Sequence, residues 1–124
     1  MTLRALVVDD EQPARERLAA LLRELGQVEV VGEARNAREA LQRIDELDPD
    51  VLYLDVHMPG MSGLELARHL GSLDEPPAII FTTAHDEHAM EAFEAEAVGY
   101  LLKPVRKERL AAATERAQRP TPRQ

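Results

Sequence analysis

Three aspartates and one lysine are the residues of this chain whose types and positions could do chemistry. Asp9 and Asp10 follow one apolar run, Asp55 follows another, and Lys103 follows a third. Carboxylate oxygens without a thiolate or imidazole partner favour a hard cation, and they suit Mg²⁺ better than Zn²⁺. A carboxylate can also accept a phosphoryl group, and a lysine is a compact positive charge for a phosphoryl oxygen. These residues predict magnesium-assisted phosphoryl transfer to Asp55, if the fold brings them together.

The apolar runs before these residues predict the elements that position them. Runs of strand length occur at residues 3–8, 28–31, 51–54, 78–81 and 100–102. Segments with the helical spacing of apolar residues lie between the runs, and another such segment follows the last run. Asn36, with Glu39 three residues later, predicts the start of the second of these helices. Five alternating units predict an α/β fold, a flavodoxin-like (βα)5 doubly wound sheet of five parallel strands in the order 2-1-3-4-5.

That strand order would gather the acidic residues at one edge of the sheet. Strands 1 and 3 would be neighbours about 4.8 Å apart, so Asp9, Asp10 and Asp55 should share a pocket. Two unit charges 4 Å apart repel by roughly 4 kcal/mol at an effective dielectric of 20, so a positive group is expected among them. Each aspartate alone could instead cap a helix or start a turn. No general base is expected, because an ordinary carboxyl is already ionised at pH 7.

The composition of the chain limits its class. It has 124 residues, no cysteine, and 23 acidic against 15 basic side chains, which give a net charge of −8. One domain is expected, without thiol catalysis, thiolate zinc sites or disulfides. An acidic chain is not expected to grip a nucleic-acid backbone by itself. No apolar run approaches the roughly 20 residues of a membrane span and no signal peptide is visible, so a cytoplasmic protein without membrane contact is expected.

Four motifs in order carry a resemblance to a known family. They are residues 7–11 (VVDDE), 54–63 (LDVHMPGMSG), 81–84 (FTTA) and 99–104 (GYLLKP). The chain resembles a two-component response regulator receiver domain, which is expected to span residues 1–118. Residues 81–87, 92–93 and 100–104 are also similar to receivers of the LytTR class, including the alginate regulators. In that class a DNA-binding domain follows the receiver, so residues 119–124 are expected to begin a linker to a separate effector domain.

The resemblance implies a donor, a cofactor and a ligand set. A sensor histidine kinase would phosphorylate Asp55, and the chain would catalyse at most its own phosphorylation and dephosphorylation. Mg²⁺ would be held by Asp10, Asp55 and the backbone carbonyl of His57, with Asp9 acting through water. Lys103 would bind the phosphoryl group.

The resemblance also implies a switch. Thr83 would bind the phosphoryl group and, with Tyr100, act as a switch residue. The peptide bond between Lys103 and Pro104 would be cis. His57 and His85 occupy positions that in the family tune the lifetime of the phosphorylated state.

Charged residues of the last two helical segments suggest a partner surface. The fourth segment carries Asp86, Glu87, Glu91, Glu94 and Glu96, and the fifth carries Arg106, Lys107, Arg109 and Arg116. These sets could pair across a two-fold axis, so a homodimer through the fourth helix, the fifth strand and the fifth helix is expected. A charge run is also found on a solvated face.

Three other functions compete with the phosphoacceptor interpretation. A magnesium-dependent phosphatase with an aspartate nucleophile would need a second acidic residue where His57 stands. A mononucleotide binder would need a glycine-rich or hydroxyl-rich loop after strand 1, where this chain is acidic. A receiver-shaped scaffold that binds partners without being phosphorylated is the hardest to separate from the sequence.

Overall fold

The computed structural model describes residues 2–84 and 97–118, in which strands alternate with helices. The elements are β1 (Leu3–Val8), α1 (Gln12–Leu25), β2 (Val28–Ala34), α2 (Ala37–Leu47), β3 (Val51–Asp55), α3 (Gly63–Leu70), β4 (Ala78–Thr83), β5 (Gly99–Leu102) and α4 (Lys107–Gln118). Most of the fourth predicted helical segment falls in residues 85–96, outside the described residues, so α4 is the fifth predicted segment. Within the described ranges, none of the helices combines the length and apolar character of a membrane span.

The strands form one parallel sheet in the order β2-β1-β3-β4-β5, which confirms the predicted fold class. One apolar core lies between the sheet and helices α2 and α3, and a second lies between the sheet and helices α1 and α4. All five residues of β3 are buried, as expected for a central strand covered on both faces.

Strand β2 runs three residues beyond its apolar stretch. Gly32, Glu33 and Ala34 continue the pairing with β1 although they do not extend the apolar run. Backbone hydrogen bonds to a neighbouring strand do not require apolar side chains, so the strand predicted from the apolar run is too short. The extension places Glu33 level with Val7, close to the end of β1.

The helix ends follow local signals in the sequence. Asn36 caps α2 by accepting a hydrogen bond from the Glu39 N–H at 2.8 Å, as the sequence predicts. Gly26 ends α1 in the left-handed conformation, with φ of 71°. Ser62 and Glu65 form a capping box at the start of α3, and the spacing of these two residues is a sequence signal for a helix start.

Gly63 packs directly against the backbone of Asp55 and Val56. Its N–H donates to the Val56 carbonyl at 2.9 Å. A Cβ at this position would lie 2.0 Å from the backbone oxygen of Asp55, a distance that no side chain can adopt. The absence of a side chain therefore lets α3 begin against the end of β3.

We predict that Gly63→Ala destabilises the fold by about 1–3 kcal/mol, because the added methyl overpacks against backbone that cannot rotate away. Urea denaturation at pH 7 measures the loss. Gly71→Ala is the matched control, because Gly71 has a helical φ of −63° and the nearest contact of its added Cβ is at 3.4 Å. Equal losses in the two variants would contradict the prediction.

Candidate functional site

The three predicted carboxylates meet at the carboxyl edge of the sheet. Val8 of β1 is in register with Leu54 of β3, so the residues that follow emerge side by side. Asp9, Asp10 and Asp55 each offer a ligand oxygen within 4.8 Å of the others. Asp9 and Asp55 are 2% and 4% exposed, whereas Asp10 faces solvent. The predicted shared pocket is confirmed.

Lys103 supplies the positive charge of this cluster. Its Nζ lies 2.8 Å from Asp9 Oδ2, 3.6 Å from Asp55 Oδ1 and 3.7 Å from Glu11 Oε1. Its backbone N–H donates to the Thr83 carbonyl at 2.7 Å, which fixes its position at the end of β5. Its peptide bond to Pro104 is cis. Sequence reasoning gave no role to Glu11, whose contribution depends on this side-chain geometry.

Opposing effects act on the ionisation of Lys103. Burial favours the neutral amine, but the hydrogen bond to Asp9 and the charges of Asp55, Asp9 and Glu11 outweigh it. The pKa of Lys103 is therefore raised above its usual value. The amine stays positively charged, as a group that balances carboxylates or a phosphoryl oxygen must.

Asp55 titrates near neutrality. Burial is the largest cause, the charge of Asp9 and the side chain of Asp10 act in the same direction, and Lys103 and the His57 N–H oppose them. Together they raise the pKa of Asp55 to about 7. The expectation that this carboxyl is fully ionised at pH 7 is therefore wrong for the metal-free protein. The expectation used the pKa of a solvated carboxyl, and burial beside other carboxylates changes it.

The donor set of the pocket fits a hard divalent cation. All three groups offer carboxylate oxygens, and the exposed Asp10 leaves one side open to water, as Mg²⁺ requires. A cation there would favour the ionised form of Asp55.

Hydrogen bonds from nearby backbone N–H groups orient the carboxylates of the cluster. The His57 N–H donates to Asp55 Oδ1 at 3.3 Å, and the Glu11 N–H donates to Asp9 Oδ1 at 2.9 Å. Glu11 is the N-cap residue of α1, and no side chain caps that helix. The alternative in which Asp9 or Asp10 merely caps α1 is therefore wrong. His57 has an exposed side chain, and its carbonyl as a metal ligand stays a prediction.

The predicted switch residues lie on β4 and β5. Thr83 is fully buried at the end of β4, but it is Thr82 that pairs in register with Asp55. Tyr100 is partly buried against the core under α2 and α3 and is in register with Phe81. Side chains alternate along a strand, so Thr83 and Phe81 share a face, and Tyr100 lies on that face too. The roles of Thr83 and Tyr100 stay predictions, and His85 lies outside the described residues.

The predicted dimer surface is described only in part. Its five acidic residues lie outside the described residues. On α4, Lys107 Nζ lies 2.5 Å from Glu24 Oε1, and Arg116 Nε donates to the Val98 carbonyl at 3.2 Å. These two basic residues already have partners in their own chain, and the dimer stays a prediction.

Comparison with known proteins gives consistent matches. Residues 5–115 match the sequence family described as the response regulator receiver domain. The chain is 53% identical over 119 residues to the positive alginate biosynthesis regulatory protein of Pseudomonas aeruginosa, covering 95% of this chain and 48% of that protein. It is 43% identical over 108 residues to the sensory transduction protein LytT of Bacillus cereus, covering 87% of this chain and 44% of that protein. The chain thus spans about half the length of the curated relatives it matches.

A solved structure has the same fold. The response regulatory domain of protein mrkE from Klebsiella pneumoniae superposes with a TM-score of 0.85 at 32% identity. The match covers 93% of this chain and 94% of that one.

We predict that the stability of the metal-free protein depends on the charge of Asp55. Its folded pKa lies above the unfolded value of 3.8, so the wild type loses stability as pH rises from about 4 to 7. Asp55→Asn removes that loss. The free energy of unfolding of the variant, relative to that of wild type, should therefore increase by about 2–3 kcal/mol between pH 5 and pH 8. Urea denaturation with EDTA measures it. Asp74→Asn, in the exposed loop after α3, is the control. A gap that is the same at both pH values would refute the prediction.

Proposed function

The chain belongs to the response regulator receiver domain family, and from that premise we propose that it is a magnesium-dependent phosphoacceptor switch with Asp55 as the acceptor. The observation that supports this most strongly is the carboxylate cluster, in which oxygens of the buried Asp9 and Asp55 and of the exposed Asp10 lie within 4.8 Å of one another. Lys103 Nζ lies 3.6 Å from Asp55 Oδ1, where it can also meet a phosphoryl oxygen.

The phosphoryl donor is a phosphohistidine of a sensor histidine kinase, or a small acyl phosphate with less specificity. A carboxylate oxygen of Asp55 attacks phosphorus, and the new P–O bond forms as the P–N bond to the donor histidine breaks. The released imidazole nitrogen takes a proton from solvent. The chemistry needs positioning and charge neutralisation more than covalent help, which agrees with a site made of carboxylates and one lysine.

The residues around Asp55 divide the remaining work. Asp10, Asp55 and the His57 carbonyl would hold Mg²⁺, and Asp9 would act through water. Bound Mg²⁺ supplies positive charge for the phosphoryl oxygens. Lys103 balances another oxygen, and the Thr83 hydroxyl donates to the phosphoryl group. The side chains of His57 and His85 adjust the access of water to the acyl phosphate and thereby its lifetime.

Phosphorylation would change the surface around β5. The new group brings about −1.5 to −2 charges, which attract the Thr83 hydroxyl and the Lys103 amine. Because the Lys103 N–H is bonded to the Thr83 carbonyl, these two residues are also joined through the backbone. Movement of Thr83 frees space for the Tyr100 ring. Nearly complete conversion between two states requires about 5.5 kcal/mol, which several charge-assisted contacts can provide.

The output lies outside the receiver. We assign residues 1–118 to the receiver domain and 119–124 to the start of a linker. A relative is named as a regulator of alginate biosynthesis, and the chain covers 48% of it, which leaves room for an effector domain. With a net charge of −8, the receiver is unsuited to DNA contact, so a LytTR-type domain would bind DNA and control transcription.

We predict that the wild-type protein incubated with acetyl phosphate and Mg²⁺ gains about 80 Da, one phosphoryl group, by intact-mass measurement. The increment should require Mg²⁺ and be absent in Asp55→Asn, whereas Asp74→Asn should behave as wild type because Asp74 lies outside the cluster.

Two other outcomes would refute this function. Sustained release of phosphate from unrelated esters would identify a phosphatase. A wild-type protein that binds Mg²⁺ but is not modified by acetyl phosphate or by a phosphorylated kinase would identify a scaffold.

Phosphorylation is also expected to promote a homodimer through the fourth predicted helix, β5 and α4. Sedimentation velocity with and without a phosphate mimic measures it, and Arg109→Glu should weaken the dimer because it reverses an exposed charge of α4. Monomers at high concentration in both states would exclude the dimer.

A further inference from the structure

Arg15, in the first turn of α1, joins the ends of two strands beside the acidic cluster. Its Nη1 donates to the backbone carbonyl of Asp9 at 2.8 Å. Its Nε donates to Glu33 Oε1, on β2, at 3.1 Å. The Arg15 side chain is only 16% exposed and that of Glu33 is 33% exposed, so this pair is better shielded than an ordinary surface ion pair.

The carbonyl that accepts the Arg15 hydrogen bond belongs to the peptide between Asp9 and Asp10. The other side of Asp9 is fixed by its own N–H, which donates to the Ala34 carbonyl at 3.0 Å. The next turn is fixed by the Glu11 N–H, which donates to Asp9 Oδ1 at 2.9 Å. Arg15 therefore completes the contacts that orient the peptide between Asp9 and Asp10. This peptide carries the exposed Asp10 side chain.

We propose that Arg15 is a positioning residue for the metal site, and that Glu33 holds its guanidinium in place. This inference rests on the proposed function, because it assumes that the carboxylates bind Mg²⁺. An isolated positive charge beside a cation site would weaken metal binding, and the paired Glu33 offsets that charge. Arginine suits this role because its planar fork presents several donors in fixed directions, so one side chain can bridge a carbonyl and a carboxylate.

Removal of Arg15 distinguishes an effect on the position of the Asp9–Asp10 peptide from an effect of the arginine charge, because the two change the Mg²⁺ affinity in opposite directions. If Arg15 acts only through its charge, Arg15→Met should bind Mg²⁺ more tightly. If it orients the Asp9–Asp10 peptide, the same variant should bind Mg²⁺ about 10-fold more weakly, as is typical when a partner of a metal ligand is lost. Titration calorimetry with MgCl₂ on the unphosphorylated protein measures the affinity without relying on phosphorylation.

Three further variants define the mechanism. Arg15→Lys keeps the charge but cannot bridge both partners, so its affinity should fall between those of wild type and Arg15→Met. Glu33→Gln keeps an acceptor oxygen for Arg15 but leaves the Arg15 charge without its offset, so its affinity should fall, but by less than in Arg15→Met. Arg43→Met removes an arginine paired at 4.0 Å with Glu46 on the exposed side of α2 and should match wild type.

A metal-free measurement separates failure of this inference from failure of the proposed function. Amide hydrogen exchange in EDTA should be at least fivefold faster at Glu11 in Arg15→Met than in wild type, while amides in β3 stay protected. Arg15→Met and Arg15→Lys that bind Mg²⁺ as tightly as wild type would overturn the inference. A wild-type protein that binds no Mg²⁺ would instead refute the proposed function, and unchanged exchange at Glu11 would then refute the positioning role as well.

Discussion

The packing of three carboxylates around one ammonium group is the interaction on which the rest of this structure depends. At 4 Å, two such negative charges repel by roughly 4 kcal/mol at an effective dielectric of 20. Lys103, 2.8 Å from Asp9 and 3.6 Å from Asp55, offsets part of this repulsion. Burial is the main cause that raises the pKa of Asp55 to about 7, and the remaining repulsion from Asp9 acts in the same direction. A bound cation would offset the negative charge that remains and would favour the ionised form of Asp55.

The scaffold tolerates this cluster because its elements cannot move apart. Strands β1 and β3 are neighbours in a sheet with an apolar core on each face. The turn after Asp55 is fixed by the bond from Val56 N–H to the Thr82 carbonyl and by the close approach of Gly63. Carboxylates on flexible loops would separate, whereas these begin at the ends of rigid strands.

Arg15 and Lys103 connect the acidic cluster to the strands on either side of it. Toward β2, Arg15 bridges the Asp9 carbonyl and Glu33. Toward β5, the backbone N–H of Lys103 donates to the Thr83 carbonyl, and the side-chain amine of Lys103 forms an ion pair with Asp9. A change of charge at Asp55 would therefore act on groups at the ends of β1 and β5, which are linked in turn to β2 and β4. Through these links a local modification would alter a distant surface, as the proposed switch requires.

The sequence by itself determined the fold class, the strand order and the meeting of Asp9, Asp10 and Asp55. Alternating apolar runs and helical segments permit few topologies, and the carboxyl ends of adjacent parallel strands must share an edge. Local signals such as Asn36 also predicted a helix start, because a cap depends only on nearby residues.

Only the tertiary structure decided the ionisation of Asp55, the preference of Lys103 for Asp9, and the bridge made by Arg15. Each depends on burial and on side-chain distances, and for Lys103 the two contacts that differ, at 2.8 Å and 3.6 Å, are less than 1 Å apart in length. Residue spacing along a chain does not carry that information, because it arises from the packing of elements that are distant in sequence.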